Sequence, residues 1–563
     1  MKTLFKNGIL VNVFTGELEN VNVLIEDETI VGVGAYTEAD ADIVEEIAGK
    51  YITPGFIDGH IHIESTMLTP SELARVVLCH GTTSIVADPH EIANVCGAAG
   101  IEYMLEASEN LPLTVYFMLP SCVPPTPNDE SGANLLANDL EPYYSKKRVL
   151  GLAEMMNYYG VINHDTEVMR KIESAYSRNM VIDGHAPLLS GKKLDQYLTA
   201  HIQSDHECST FEEAVERIRK GQWVMIRQGT AARNLEGLID LFDEPYCQRC
   251  LLVTDDRHPA DLLRDGQIDN MLRIAGKMGK SIVTAIQMAT IRAAQYFGLK
   301  YVGAVAPGYR ADLLILNDLT TVEVESVYTR GKKVVSGNRT LPFASPKVCP
   351  EILERVEHSF HIAKVSEEDF DIPEKSPRVR IIKTIPQQLI TEEQVEIINW
   401  EENNGVNVEK DILKIAVLER HKNTGHKGLG FISGIGLQSG AVCSSVSHDS
   451  HNIVVIGTNN FDIATAVNRI IDMGGGAVCV KDGKILAEMA LPVAGLMTEE
   501  NAELIAEKNE RLQTAIYSLG VPANSAPLMT MQFIPLDVIP DLKMTTRGLV
   551  DVNEQRIVSL YVV

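Results

Sequence analysis

Between residues 51 and 300 the chain passes eight times from a short apolar run of strand length to a helix-like stretch. The strand candidates are ITPGFIDGH, TTSIVAD, LTVYFML, RVLGLAE, MVIDGH, IQSDHE, WVMIRQ and CLLVTDD. Segments such as PSELARVVL, EEAVERIRK and SIVTAIQMATIRAAQYF carry the helical spacing between them. A run of eight strand and helix units is the signature of a closed (β/α)8 barrel, which occupies about 250 residues.

The barrel leaves material at both ends. Residues 1–50 alternate apolar and polar positions between Gly and Asn breaks, and residues 301–345 do the same around Pro307-Gly308 and Gly331. Neither piece can bury a core alone, so the two predict one composite β-sandwich with the barrel inserted in it. A charged connector, EEDFDIPEKSPRVR, introduces residues 350–563, whose strands DILKIAVLER, NIVVIGT and GAVCVKDGKILAE and helix NNFDIATAVNRIIDM predict a C-terminal α+β domain. The glycine-rich GLGFISGIGLQSG and MGGGAV lack a P-loop lysine and read as turns. The expected class is therefore α/β: a TIM-like barrel inserted in a small β-sandwich, followed by an α+β domain.

A net charge of −26 with no basic block argues against a nucleic-acid partner, and no apolar run reaches the roughly 18 residues of a membrane span. The opening MKTLFKNGILVNVFTGE is interrupted by Gly8, Asn12 and Gly16 before a signal-peptide core develops, which predicts a cytoplasmic protein. Nine scattered cysteines fit reduced thiols. Cys247 and Cys250 form a CxxC, and His62 with Glu64 an HxE, the halves of a cytidine-deaminase-type zinc site; Tyr246 stands where that motif has proline, which disfavours this reading.

Barrel enzymes carry their reactive groups at the C-terminal strand ends, where all eight strands converge on one mouth. In order these ends carry Asp58, His60 and His62; Asp88 and His90; Ser121; Glu154; His185; Asp205, His206 and Glu207; Arg227 and Gln228; and Asp255 and Asp256. Two histidines two apart on a strand face one side and can share a cation, although HxH alone equally describes core histidines. Glu154, His185, His206 and an aspartate from other strand ends add to that pair. Such a set suits Zn²⁺, Mn²⁺ or Fe²⁺, with the carboxylate able to bridge two ions. Asp255 is then a general base or, structurally, a helix N-cap before RHPADLL.

GFIDGHIHIESTM, with Glu at the fourth strand, His at the fifth and sixth and Asp at the eighth, resembles the binuclear amidohydrolase pattern, and PGYRADLLIL resembles that superfamily's return to its β-sandwich. VADPHEIANVCG, GLAEMMNYYGVI, SDHECST, VTDDRHPADLL and the C-terminal SVSHDSHNIVVIGTN resemble the adenine deaminase family in particular, from about residue 5 to 560. The resemblance implies hydrolytic deamination of adenine to hypoxanthine and ammonia in purine salvage, by metal-activated hydroxide at C6. It implies a binuclear Mn²⁺ or Fe²⁺ centre with His60, His62 and Asp255 on one ion, His185 and His206 on the other and Glu154 bridging. Asp255 is the implied base, and Glu154 is one of the groups able to act as acid toward N1.

Asp256 can contact the imidazole edge of the purine, by analogy with the paired aspartates of the more distant adenosine deaminases. His90 can bind a metal, touch substrate or cap a helix, and Arg227 and Gln228 can face substrate or pack behind it. His448, Asp449 and His451 sit in a polar knot, either a solvated turn or a lid over the barrel mouth. A different nucleobase or cyclic amide is the alternative substrate, and a barrel that lost its metals is the alternative class; the complete ligand set argues against the latter. A homodimer is the default assembly.

Overall fold

The computed structural model describes residues 1–562 except Ala231, Pro386, Gln387, Glu402 and Asn524. All eight barrel strands form. Phe56–Ile61, Thr82–Ala87, Thr114–Leu119, Val149–Met155 and Val181–Gly184 make a parallel five-stranded sheet, and Ser204–Asp205, Trp223–Arg227 and Cys250–Val253 a parallel three-stranded one. Two short seams complete the ring: Gln203 N donates to Ile182 O at 2.8 Å, and Asp255 N donates to His60 O at 2.9 Å. The sixth strand is only two residues long because the chain turns at once into the polar Asp205-His206-Glu207 end.

One apolar cluster draws Ile57, Val86, Met118, Ala153, Met225 and Leu251 from six of the strands, with Ala293 and Phe297 packed on it. Filling the barrel in this way contributes about 1.5–3 kcal/mol for each large side chain removed from water. A buried ion pair ties the short sixth strand to the helix that follows it, Phe211–Arg219. Arg217 Nε donates to Asp205 Oδ2 at 2.8 Å, both side chains are fully buried, and Arg217 Nη2 donates to Ala186 O at 2.9 Å. Arg217→Met would strand the Asp205 carboxylate in the interior, an expected loss of about 3–5 kcal/mol. Denaturant unfolding reads it, and a midpoint equal to wild type would mean that the pair adds nothing.

The chain's two flanking pieces make a single nine-stranded sheet. Tyr51–Pro54 welds them, pairing in parallel with Ile9 and Leu10 on one side and antiparallel with Leu313–Leu316 on the other. Their shared core contains Phe5, Val23, Ile52, Leu313 and Tyr328, with Phe5 and Tyr328 edge to face at 4.9 Å. After residue 350 an eight-stranded sheet carries the helices Asn460–Met473 and Ala502–Ser518, and a small three-stranded sheet closes the chain. Asn459 caps the first of those helices, accepting from Asp462 N.

One sequence expectation fails here. GLGFIS is not a turn but most of the strand Lys427–Ser433. Its glycines serve close packing, since a Cβ on Gly428 would sit 2.0 Å from Thr545 O. MGGGAV does turn, with Gly474 left-handed at the helix C-cap. The helix expected after the second barrel strand is broken at Gly97 into His90–Cys96 and Ala98–Ala107.

Candidate active site

The strand ends bring six of the expected side chains into one buried cluster. His62 Nδ1 lies 3.2 Å from the carbonyl oxygen of Asp88, to which only an N–H can donate, so in the neutral ring that a cation would bind the proton sits there and the lone pair is on Nε2. That nitrogen points between Glu154 Oε1 at 3.3 Å and Asp255 Oδ1 at 3.2 Å. His60 Nε2 lies 3.8 Å from each of the same two oxygens, is buried, and makes no hydrogen bond among the described residues.

The other oxygen of Glu154 belongs to a second pair. His185 Nδ1 is 2.9 Å and His206 Nε2 3.2 Å from Oε2, and the two nitrogens are 3.3 Å apart. Glu154 thus turns one oxygen to each of two histidine pairs, and the His60 and His206 rings stack at 4.5 Å. Burial opposes its ionisation, yet His206 foremost, with the other imidazoles, holds the carboxyl well below the usual range. The donor set fits a pair of divalent cations: an orphaned imidazole nitrogen, a lone pair freed by a backbone acceptor, and a carboxylate set between them.

Asp255 follows the last strand in a left-handed conformation, φ 60°. It is not the N-cap of Pro259–Asp265, a position held by His258. Its Oδ2 accepts from Arg227 Nη1 at 2.6 Å, and the same guanidinium grips Glu207. Arg227 therefore orients carboxylates rather than stacking on a ligand. Burial would raise the Asp255 pKa, and the Arg227 charge outweighs it, holding the carboxyl far below the usual range. Asp58 lies deeper, accepting from Thr254 N at 3.0 Å and Gln267 Nε2 at 2.8 Å.

Asp88 and His90 act on each other. Asp88 Oδ2 is 3.0 Å from His90 Nδ1, while Oδ1 accepts from His90 N at 3.1 Å. His90 also reaches toward Glu154, its Nδ1 3.7 Å from Oε1. Asp256 Oδ1 accepts from Ser65 Oγ at 2.5 Å. Gln228 Oε1 is buried without a partner among the described residues, and the Gln228 carbonyl accepts from Arg257. Ser121 Oγ is spent on packing, donating to the Glu154 carbonyl. Cys250 opens the eighth strand, at the end of the barrel away from His62, so the CxxC and HxE halves do not meet.

The polar knot of the C-terminal domain is no solvated turn. His448, Asp449 and His451 are all buried, against the second barrel strand's exit. His448 Nδ1 is 2.7 Å from Glu91 Oε1, His451 Nε2 contacts Glu91 Oε2, and Asp449 Oδ2 is 3.8 Å from His90 Nε2. Beside this seam a cleft of about 1670 Å³ opens between barrel and C-terminal domain, with Glu207, Arg227, His258, Met529 and Gln532 on its walls.

Residues 51–334 match the amidohydrolase family, and residues 388–556 match the adenine deaminase C-terminal domain. The chain is 44% identical to adenine deaminase 2 of Carboxydothermus hydrogenoformans, over 99% of this chain and 96% of that one. It is 44% identical to an adenine deaminase of Desulfatibacillum aliphaticivorans, covering 99% and 97%, and 42% identical to one of Clostridium acetobutylicum, covering 98% and 96%. The chain belongs to the adenine deaminase family. In this adenine deaminase family member the fold brings to the site two residues that the strand-end reading left without a role. Glu207 shares Arg227 with Asp255, and a carboxylate beside two strand-end histidines was a readable signal. Glu91 follows His90 in DPHEIANV, and nothing near it in the chain indicates the histidines that it meets.

Proposed function

We propose that the chain hydrolyses adenine to hypoxanthine and ammonia, acting in purine salvage in the cytoplasm as a homodimer. The observation that carries this reading is Glu154 set between two histidine pairs in a chain of the adenine deaminase family. His60, His62 and Asp255 would hold one Mn²⁺ or Fe²⁺, His185 and His206 a second, and Glu154 both. Such ions, when bound, lower the pKa of water enough to supply hydroxide near neutral pH.

Asp255 is the base of the reaction. Arg227 holds its Oδ2, and its Oδ1, on the side of His62 and the cation it would help to hold, would take the nucleophile's proton and return it to the departing amine. In the overall change the C6–N bond breaks, a C6–O bond forms, and the two protons of the attacking water end on N1 and on the departing amine. Gln228 Oε1, buried and unpartnered among the described residues, can accept an N–H of the base. The wide cleft at Arg227 and Glu207 gives a purine its way in. The turn around Asp449 shuts bulk water out, so Asp449→Ala should lower kcat about tenfold by loosening that cover; full activity would remove the lid role.

Ammonia release from adenine, with adenosine, guanine and cytosine as comparators, tests the whole reading. Turnover of adenine alone, lost on chelation and restored by Mn²⁺ or Fe²⁺, is expected. Metal-containing protein inert toward adenine would overturn the substrate, and sedimentation analysis reads the dimer.

A further inference from the structure

Glu207 stands one residue past His206, on a turn whose backbone is fixed from two sides. Asp205 Oδ1 accepts from Glu207 N at 2.9 Å, and Asn234 Nδ2 donates to His206 O at 3.1 Å and to Cys208 O at 2.8 Å. Asn234 Oδ1 also accepts from Arg227 N at 2.7 Å, so one side chain locks the end of the seventh barrel strand to the turn after the sixth. The Glu207 carboxylate is thereby brought against the Arg227 guanidinium, with Nη2 donating to Oε2 at 2.9 Å and Nη1 to Oε1.

Oε1 has a second set of neighbours. It lies 3.5 Å from His185 Nδ1 and 3.4 Å from His206 Nε2, and those two nitrogens are 3.3 Å apart. As hydrogen bonds, both contacts to Glu207 are longer than good N–H···O geometry allows. As spacings between donors that share one cation they fit, because bonds of about 2.0–2.1 Å in tetrahedral directions put ligand atoms about 3.3–3.4 Å apart. Glu154 Oε2, at 2.9 and 3.2 Å from the same two nitrogens, is the remaining corner.

The two halves of the site then match. Around the first position stand His60 Nε2, His62 Nε2, Glu154 Oε1 and Asp255 Oδ1, and around the second His185 Nδ1, His206 Nε2, Glu154 Oε2 and Glu207 Oε1. Each set is two imidazoles, one oxygen of Glu154 and one oxygen of a carboxylate that Arg227 grips; the grip on Asp255 is 2.6 Å long and uses the same Nη1. A carboxylate oxygen has two lone-pair directions, so Glu207 Oε1 can accept from Arg227 and still face a cation. Charge favours the same arrangement. Two divalent ions and a guanidinium would be opposed in this buried site by Glu154 and Asp255 alone unless Glu207 joins them, and uncompensated buried charge is costly.

Resting on the binuclear reading above, we propose that Glu207 is a ligand of the second ion. The resemblance to the amidohydrolases gives that ion only His185, His206 and the shared Glu154; Glu207 supplies a fourth protein donor and makes its set the counterpart of the one that contains Asp255.

The test is metal binding, read apart from turnover. Full-length protein stripped with a chelator and titrated with Mn²⁺ should take up two ions per chain in the wild type. Glu207→Gln should take up one ion at wild-type affinity and the second more than about a hundredfold more weakly, above the range for loss of an outer-shell partner. A crystal structure of the Mn²⁺-loaded wild type needs no variant to fold, and in it Glu207 Oε1 should lie within about 2.4 Å of the ion at His185 and His206, while a separation beyond about 3 Å would overturn the proposal. Undiminished second-ion affinity in folded Glu207→Gln would overturn it equally, with two-ion binding by the wild type still standing. A wild-type chain that binds fewer than two ions would instead overturn the binuclear reading, and this inference with it.

Discussion

Glu154→Gln is expected to lower kcat/KM by about 10³-fold or more, equivalent to roughly 4 kcal/mol of barrier. The amide has the shape of the carboxylate, so the fourth strand keeps its packing, and the loss falls on charge alone. In the wild-type protein the two oxygens lie 3.3 Å from His62 Nε2 and 2.9 Å from His185 Nδ1, one facing each histidine pair. An amide presents one oxygen and one N–H₂, and the latter cannot ligate a cation. The substitution should therefore cost metal as well as rate, with elemental analysis falling from two ions per chain toward one. Two ions retained at full occupancy with near-normal turnover would remove Glu154 from the bridging position.

Asp255→Asn should cost about 10²- to 10⁴-fold in kcat, the range for loss of a positioned acid or base. Here the expected signature separates from that of Glu154. His60, His62 and Glu154 all remain, so metal content should fall less. The substitution also unbalances a buried network, since the Arg227 guanidinium then faces only Glu207. Exogenous small carboxylic acids such as formate should restore part of the rate if Asp255 moves protons. A kcat within a few-fold of wild type would assign the proton transfers to another group.

Much of the barrel was legible because its signals are local. An apolar run of five or six residues followed by a helix start reads the same whatever lies around it, and all eight strands form where those runs occur. That the two chain ends would pair was legible for a different reason, because neither half has enough apolar surface to be stable alone; the pairing takes the form of one nine-stranded sheet. Where the reading of GLGFIS failed, glycine was taken as a sign of turning, whereas Gly428 serves the approach of Thr545 from a strand more than a hundred residues away. Close approach leaves no mark in the local pattern that distinguishes it from a turn.

The polar knot at His448, Asp449 and His451 shows the same limit more strongly. Its composition is that of a solvated turn, and in the fold all three residues are buried, with the Glu91 contact joining positions 357 apart in the chain. Glu91 itself lay one residue beyond a strand end already read as functional. It escaped notice because its partners come from another domain.

By itself, then, the sequence determined which residue types stand at each strand end, and hence that His60, His62, Glu154, His185, His206 and Asp255 converge on one mouth. Strand periodicity and the closure of the barrel suffice for that. Tertiary structure alone decided which oxygen of Glu154 faces which imidazole pair, which nitrogen of the neutral His62 ring carries the proton, and that Arg227 is spent on carboxylates. Those outcomes depend on hydrogen-bond partners brought together by packing between distant segments, and direction and distance of that kind are not encoded in any local run of residues.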